Sequence, residues 1–191
     1  MEKNNKSNLF SVRSMVFIAV FAAIICIASP FSIPLPGLIP ISLATFAIYL
    51  TGAMLGWKRG MFATLVYILI GTVGLPVFTG FSGGFAKLFG VTGGYIIGYI
   101  PLVILTGLFA DKFADKKRLA PVGMIVGMIL GTAALYTFGT IWYMIYTGAN
   151  IVSALMGCVV PFLIGDMIKI VCSTLIAVPL KSRLADIINN V

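Results

Sequence analysis

Six runs of apolar residues dominate this chain and leave it few ways to fold. They cover roughly residues 14–28, 40–55, 61–75, 92–109, 119–146 and 155–180. Backbone N–H and C=O groups in hydrocarbon have no water to bond, so each run must satisfy them internally as a helix. Of the 191 residues, 60% are hydrophobic and only 9% charged. A soluble domain carries about 25% charged residues. So few charges cannot clothe a water-facing surface, and lipid must cover most of the molecule. The predicted fold class is an all-α polytopic membrane protein with six transmembrane helices, in a single domain over 1–191. Several runs fall short of the ~20 residues that cross a bilayer unaided. Pro30, Pro34, Pro36 and Pro40 break the chain after the first run, and Gly80, Gly83, Gly84 and Gly90 break it after the third.

The net charge of +8 is not spread evenly. Lys3, Lys6 and Arg13 precede the first run, and Lys58 and Arg59 separate the second from the third. Lys112, Lys116, Lys117 and Arg118 lie between the fourth and fifth, and Lys181 and Arg183 follow the sixth. With alternating sides, those 3 + 2 + 4 + 2 = 11 of the 13 basic residues share one face. Lys87 is alone on the other face, and Lys169 is within a run. The positive-inside rule makes the rich face cytoplasmic. Both termini are therefore expected in the cytoplasm, with the first, third and fifth loops outside. The basic residues are not interleaved with aromatics in a patch, which argues against a nucleic-acid partner. The polar N-terminal stretch lacks the usual small-residue cleavage pattern and is read as leading into a retained first helix.

The first and third loops are unusual. The third, residues 76–91, is too apolar for an ordinary exposed turn and too rich in glycine for a stable helix. The first combines its prolines with Phe31, Ile33, Leu35, Leu38 and Ile39. Both are expected to line or close a cavity, the alternative being loops that dip into the headgroup layer. Trp142, Tyr143 and Tyr146 fit an interfacial aromatic belt at the outer end of the fifth helix, or a wall against a flat ligand.

Asp166 and Lys169 are the acidic and basic side chains inside a run. A charge in hydrocarbon costs several kcal/mol, so such a residue marks a site by default. At i, i+3 the two share a helix face and can pair. A self-neutralising structural pair is one reading, and a polar anchor in a cavity is the other. A carboxylate accepts N–H bonds and an ammonium donates to oxygen, which suits a ligand bearing both, such as a cyclic amide or urea. Lys87 is a candidate for a ligand carboxylate. Ala19 and Ala23, four apart in the first run, form a small-residue face for close helix contact with another membrane subunit.

Catalytic machinery is not visible. There is no histidine, GxSxG, HExxH or Walker A motif, and Cys26, Cys158 and Cys172 form no CxxC pair. No cofactor or metal is expected, and the cysteines are read as small hydrophobes. An intramembrane enzyme would lack a nucleophile, and a purely structural subunit would have no use for the interior charge pair.

Several stretches in order carry a resemblance. They are Pro40-Ile41-Ser42-Leu43 with Thr45, Gly52-Ala53-Met54-Leu55-Gly56 leading to Arg59-Gly60, Gly74-Leu75-Pro76-Val77-Phe78, Ser82-Gly83-Gly84, Thr92-Gly93-Gly94-Tyr95, and Pro161-Phe162 with Gly165-Asp166 and Lys169. The chain resembles the BioY family, the biotin-binding S-components of energy-coupling-factor (ECF) vitamin transporters. It departs at Ala44, Val91 and Ile164, where the family often has Gln, Pro and Pro. The resemblance implies a six-helix substrate-binding subunit of the cell membrane with a cavity near its outer face. It implies that Asp166 accepts the ureido N–H groups of biotin, with Lys169 donating to oxygen. Ser82, Gly83 and Gly84 would bring backbone close to the ligand, Tyr95 would join the site, and Lys87 is assigned to the valerate carboxylate. The Ala19/Ala23 face would dock a transmembrane coupling protein, itself joined to two ATPase subunits. Another vitamin or a biotin precursor would also fit the Asp166/Lys169 anchor.

Overall fold

A computed structural model describes residues 11–33, 39–114, 116 and 118–189. Lys3, Lys6 and Lys117 lie outside those residues, as do Pro34, Leu35, Pro36 and Leu38 of the first loop. The elements are α1 (Val12–Ala28), β1 (Ser32–Ile33), β2 (Ile41–Ser42), α2 (Ala44–Val73), α3 (Phe85–Leu88), α4 (Gly93–Lys112), α5 (Ala120–Thr147), α6 (Ile151–Cys158) and α7 (Val160–Asn189).

The expected second and third runs emerge as one helical segment, α2, but not as one straight helix. Gly56 has φ 75° and ψ 179°, outside the helical region and open only to glycine at low cost. Beyond it the chain doubles back: a Cβ on Gly60 would lie 3.4 Å from Gly52 Cα, residues that a straight helix would hold ~12 Å apart. Residues 44–55 and 57–73 are thus two antiparallel arms. The hairpin tip nests on α4. A Cβ on Gly107 would reach Trp57 N at 2.3 Å, and Asp111 Oδ2 accepts the Trp57 N–H at 3.2 Å.

Four helical segments are long and apolar enough to cross a membrane: α2, α4, α5 and the stretch Ile151–Lys181 that joins α6 to α7. α1 is a shorter apolar helix. With α2 counted as two arms and α6 joined to α7, the six expected apolar runs are each helical. The last run begins earlier than expected, at Ile151, and is interrupted at Val159 (φ −126°, ψ −58°). Ser11 caps α1 by accepting the Ser14 N–H, and Ser29-Pro30 ends it, since proline cannot continue the ladder. Left-handed Gly148 (φ 70°) closes α5.

The start of α1, the α2 hairpin tip, the α4–α5 linker and the Lys181 end of α7 share one face. Arg59 Nε donates to Ser14 Oγ at 3.1 Å, and Lys181 Nζ to Asp111 Oδ1 at 3.2 Å. This is the basic face, the one the positive-inside rule predicts to be cytoplasmic. Many large side chains turned outward are apolar, among them Ile145, Ile164, Val73 and Leu175, as a lipid-covered surface requires. The core is sealed by close backbone approach along α4 and α5, where a Cβ on Gly131 would meet Leu102 O at 2.8 Å. Tyr49, Tyr67, Leu102, Met128 and Leu135 fill the centre.

Candidate functional site

At the outer end, the two unusual loops meet. β1 and β2 pair antiparallel, Ser32 with Ser42 and Ile33 with Ile41, and this pins the base of the first loop. Gly80 N donates to Pro30 O at 3.0 Å, and the Phe31 and Phe81 rings meet edge to face at 5.5 Å. The third loop is also tied to α2. Phe78 is buried against Tyr67, its ring so close to Gly71 that a Cβ there would lie 2.2 Å away. Trp142 Nε1 donates to Gly90 O at 2.9 Å and holds the loop's far end. Together they roof a cavity in the outer half of the bundle, with about 570 Å³ of empty space including its mouth.

The cavity's polar end is built from α2, α5 and α7. Asp166 is 4% and Lys169 9% exposed. Lys169 Nζ donates to Asp166 Oδ1 at 2.9 Å, to Thr45 Oγ1 at 2.9 Å and to the Ser42 carbonyl at 2.7 Å. Thr45 Oγ1 donates to Asp166 Oδ1 at 3.2 Å, and the Tyr136 hydroxyl to Oδ2 at 2.7 Å. The Thr45 and Tyr136 contacts bring α2 and α5 to the pair on α7. Removing two charges from water costs several kcal/mol each, and this closed network offsets that cost with charge-assisted bonds.

The wall is aromatic: Tyr67, Phe78, Tyr95, Tyr99, Tyr136 and Phe162 face the space, with Ile39, Ile96 and Leu135. The Tyr95 hydroxyl donates to the Cys158 carbonyl at the α6–α7 break, and its ring tilts against Phe162. Away from the acidic end, Lys87 on α3 and Thr92 at the start of α4 also line the cavity. The Lys87 side chain has no hydrogen bond or ion pair among the described residues. Thr92 Oγ1 is buried without a partner.

Of the residues read from sequence, Asp166, Lys169, Lys87 and Tyr95 are brought together around this space. Ser82, Gly83 and Gly84 are not among its lining residues. They shape the loop instead. Ser82 exchanges backbone bonds with Phe78, and Gly84 N donates to Gly71 O at 2.7 Å. A Cβ on Gly83 would lie 2.2 Å from Leu75 O. Ala19 and Ala23 are exposed on the outer side of α1, whereas neighbouring Ala22 is buried. The departures at Ala44, Val91 and Ile164 all fall outside the lining, Ala44 in the core and Ile164 77% exposed. Thr45 lies in a motif stretch that assigns it no role, and nothing in the sequence distinguishes Tyr99 or Tyr136 from other tyrosines in apolar runs. A tyrosine in an apolar helix signals a buried hydroxyl that needs a partner, but not which partner.

These features define a class: a multi-pass membrane protein enclosing an apolar cavity with a charged, hydrogen-bonded end, built to hold a small amphipathic molecule. The chain belongs to the BioY family, which it matches over residues 1–186. It is 36% identical over 170 residues to the "Biotin transporter BioY" of Thermotoga maritima, covering 89% of this chain and 96% of the relative. It is 34% identical to the "Biotin transporter BioY2" of Lactococcus lactis, covering 90% and 92%. Its fold matches the crystal structure of the S-component for biotin from an ECF-type ABC transporter, with a TM-score of 0.82 and 28% identity over 90% of this chain and 92% of that one. It is a transport protein and not an enzyme.

Proposed function

We propose that this protein is a biotin-binding S-component of an ECF-type transporter of the cell membrane, which captures biotin at the outer face. The observation that carries this is the Asp166–Lys169 pair, buried at one end of an aromatic cavity in a chain of the BioY family. Asp166 supplies acceptors for the ureido N–H groups. The tyrosine and phenylalanine walls suit the thiophane ring and the alkyl chain. Lys87, half-buried and unpaired among the described residues, with the Thr92 hydroxyl, receives the carboxylate. The joined first and third loops support entry from outside, with Ser82–Gly84 setting the loop's shape.

Uptake against a gradient needs an energy source, and this sequence has no nucleotide-binding motif. In this reading a transmembrane coupling protein and two ATPase subunits supply it. The coupling protein docks on the exposed Ala19/Ala23 face, where small side chains permit close helix approach.

The test is isothermal titration of biotin into the purified protein in detergent, with riboflavin and thiamine as controls. Selective binding by the parent, and loss of at least ~100-fold in affinity in Asp166→Asn, are expected, since hydrogen bonds to a charged group contribute about 1.5–3 kcal/mol apiece. If folded parent ignores biotin, the ligand is another vitamin or a biotin precursor. If Asp166→Asn binds as tightly as the parent, the anchor assignment fails.

A further inference from the structure

The polar end of the cavity has acceptors to spare but no donor. An ammonium carries three N–H bonds, and Lys169 spends them on Asp166, Thr45 and the Ser42 carbonyl. The Thr45 and Tyr136 hydroxyls each have one proton, and both point at Asp166. Asp166 Oδ2 accepts only Tyr136 and has room for a ligand N–H. A cyclic urea, however, presents a carbonyl oxygen as well as two N–H groups. Its oxygen finds no free donor in this cluster.

Tyr99 has the matching surplus. It lies on α4, lines the cavity and is 5% exposed, yet its hydroxyl has no hydrogen-bond partner among the described residues. Its height in the bundle is set by its neighbours. A Cβ on Gly98 would lie 3.4 Å from Leu135 Cα, so residues 98–99 of α4 sit level with 135–136 of α5, where Tyr136 reaches Asp166. The other lining donors without side-chain partners among the described residues are Thr79 and Lys87, in the outer loop segment, and Thr92, seven residues before Tyr99 and ~10 Å away along the helix. A cavity-lining hydroxyl that bonds no other side chain or backbone group is available to a ligand acceptor.

We propose that the Tyr99 hydroxyl donates to the carbonyl oxygen of the ligand's urea ring. Lys169 then acts by fixing Asp166 and the start of α2, not by touching that oxygen. This rests on the biotin reading above and adds the residue that distinguishes a urea from rings lacking the oxygen.

Tyr99→Phe keeps the ring and removes only the hydroxyl. Titrated with biotin, it should bind about tenfold more weakly than the parent, the effect of one buried hydrogen bond. Titrated with the thiocarbonyl analogue of biotin, whose sulfur is a poor acceptor, parent and variant should agree within about threefold. Without ligand, the variant should melt no lower than the parent, because the hydroxyl bonds no other described residue. Equal weakening toward both ligands, unchanged biotin affinity, or a lowered ligand-free melting temperature would each overturn the proposal. Failure of the folded parent to bind biotin would sink the biotin reading and this proposal with it, whereas biotin binding indifferent to Tyr99→Phe would sink this one alone.

Discussion

Replacing Lys169 with methionine tests how the charged end of the cavity is held together. The side chain keeps most of its length but loses three hydrogen bonds, to Asp166 at 2.9 Å, Thr45 at 2.9 Å and the Ser42 carbonyl at 2.7 Å. Two of those partners belong to β2 and α2, so the link from α7 to the start of α2 goes with them. The larger effect is on what stays behind. Asp166, 4% exposed, keeps its bonds from Thr45 and Tyr136 but has no cation beside it. Removing one partner of a buried pair costs about 3–5 kcal/mol. For a chain of this size each kcal/mol moves the midpoint by about 2–4 °C, so Lys169→Met should melt roughly 10 °C below the parent. The assay is thermal unfolding of ligand-free protein in one detergent at a fixed scan rate. The double variant Asp166→Leu with Lys169→Met has no stranded charge, and should recover at least half of the loss while binding no biotin. Its recovery separates the stability of the pair from its use in binding. If Lys169→Met melts within about 2 °C of the parent, Asp166 is not left unpaired as described, and the electrostatic account of this cluster is wrong.

Lys87→Met should weaken biotin binding about tenfold or more and leave biotinamide binding unchanged, because only the free acid offers a carboxylate; equal effects on both ligands in titration would refute its role. Gly56→Ala combines a φ of 75° with a Cβ 2.3 Å from Asp111 Oδ2. It should lower the melting temperature by on the order of 5–10 °C, and a parent-like melt would refute the hairpin geometry at the tip. Ala19→Leu with Ala23→Leu enlarges an exposed face, so biotin affinity and melting should match the parent while co-purification with the coupling protein is lost. Retained co-purification would place the docking face elsewhere.

The charged pair at the cavity's polar end was legible because Asp166 and Lys169 are conspicuous in an apolar run, and at i, i+3 they had to share a helix face. Their partners were not. Thr45 lies 121 positions from Asp166 and Tyr136 lies 30, and neither distance follows any local period. The glycines of the third loop looked like ligand-facing backbone. Gly83 instead has Leu75 O where its side chain would be, a contact that exists only once the loop folds back on α2. The three bonds of Lys169, to Asp166, Thr45 and the Ser42 carbonyl, were equally hidden, since two of them reach more than 120 positions along the chain.

By itself the sequence determined six apolar helical segments of a membrane protein and the face on which the basic residues collect. Those follow from properties that add along the chain: apolar length, the need to satisfy backbone groups in lipid, and the side on which basic residues collect. Tertiary structure decided where the second run turns back, how the outer loops roof a cavity, and which hydroxyls are bonded and which are free. Those outcomes depend on groups distant in sequence meeting in three dimensions. Gly56 turns because Asp111 and Gly107 of another helix receive the hairpin, and Asp166 meets Thr45 and Tyr136 because three helices converge on it.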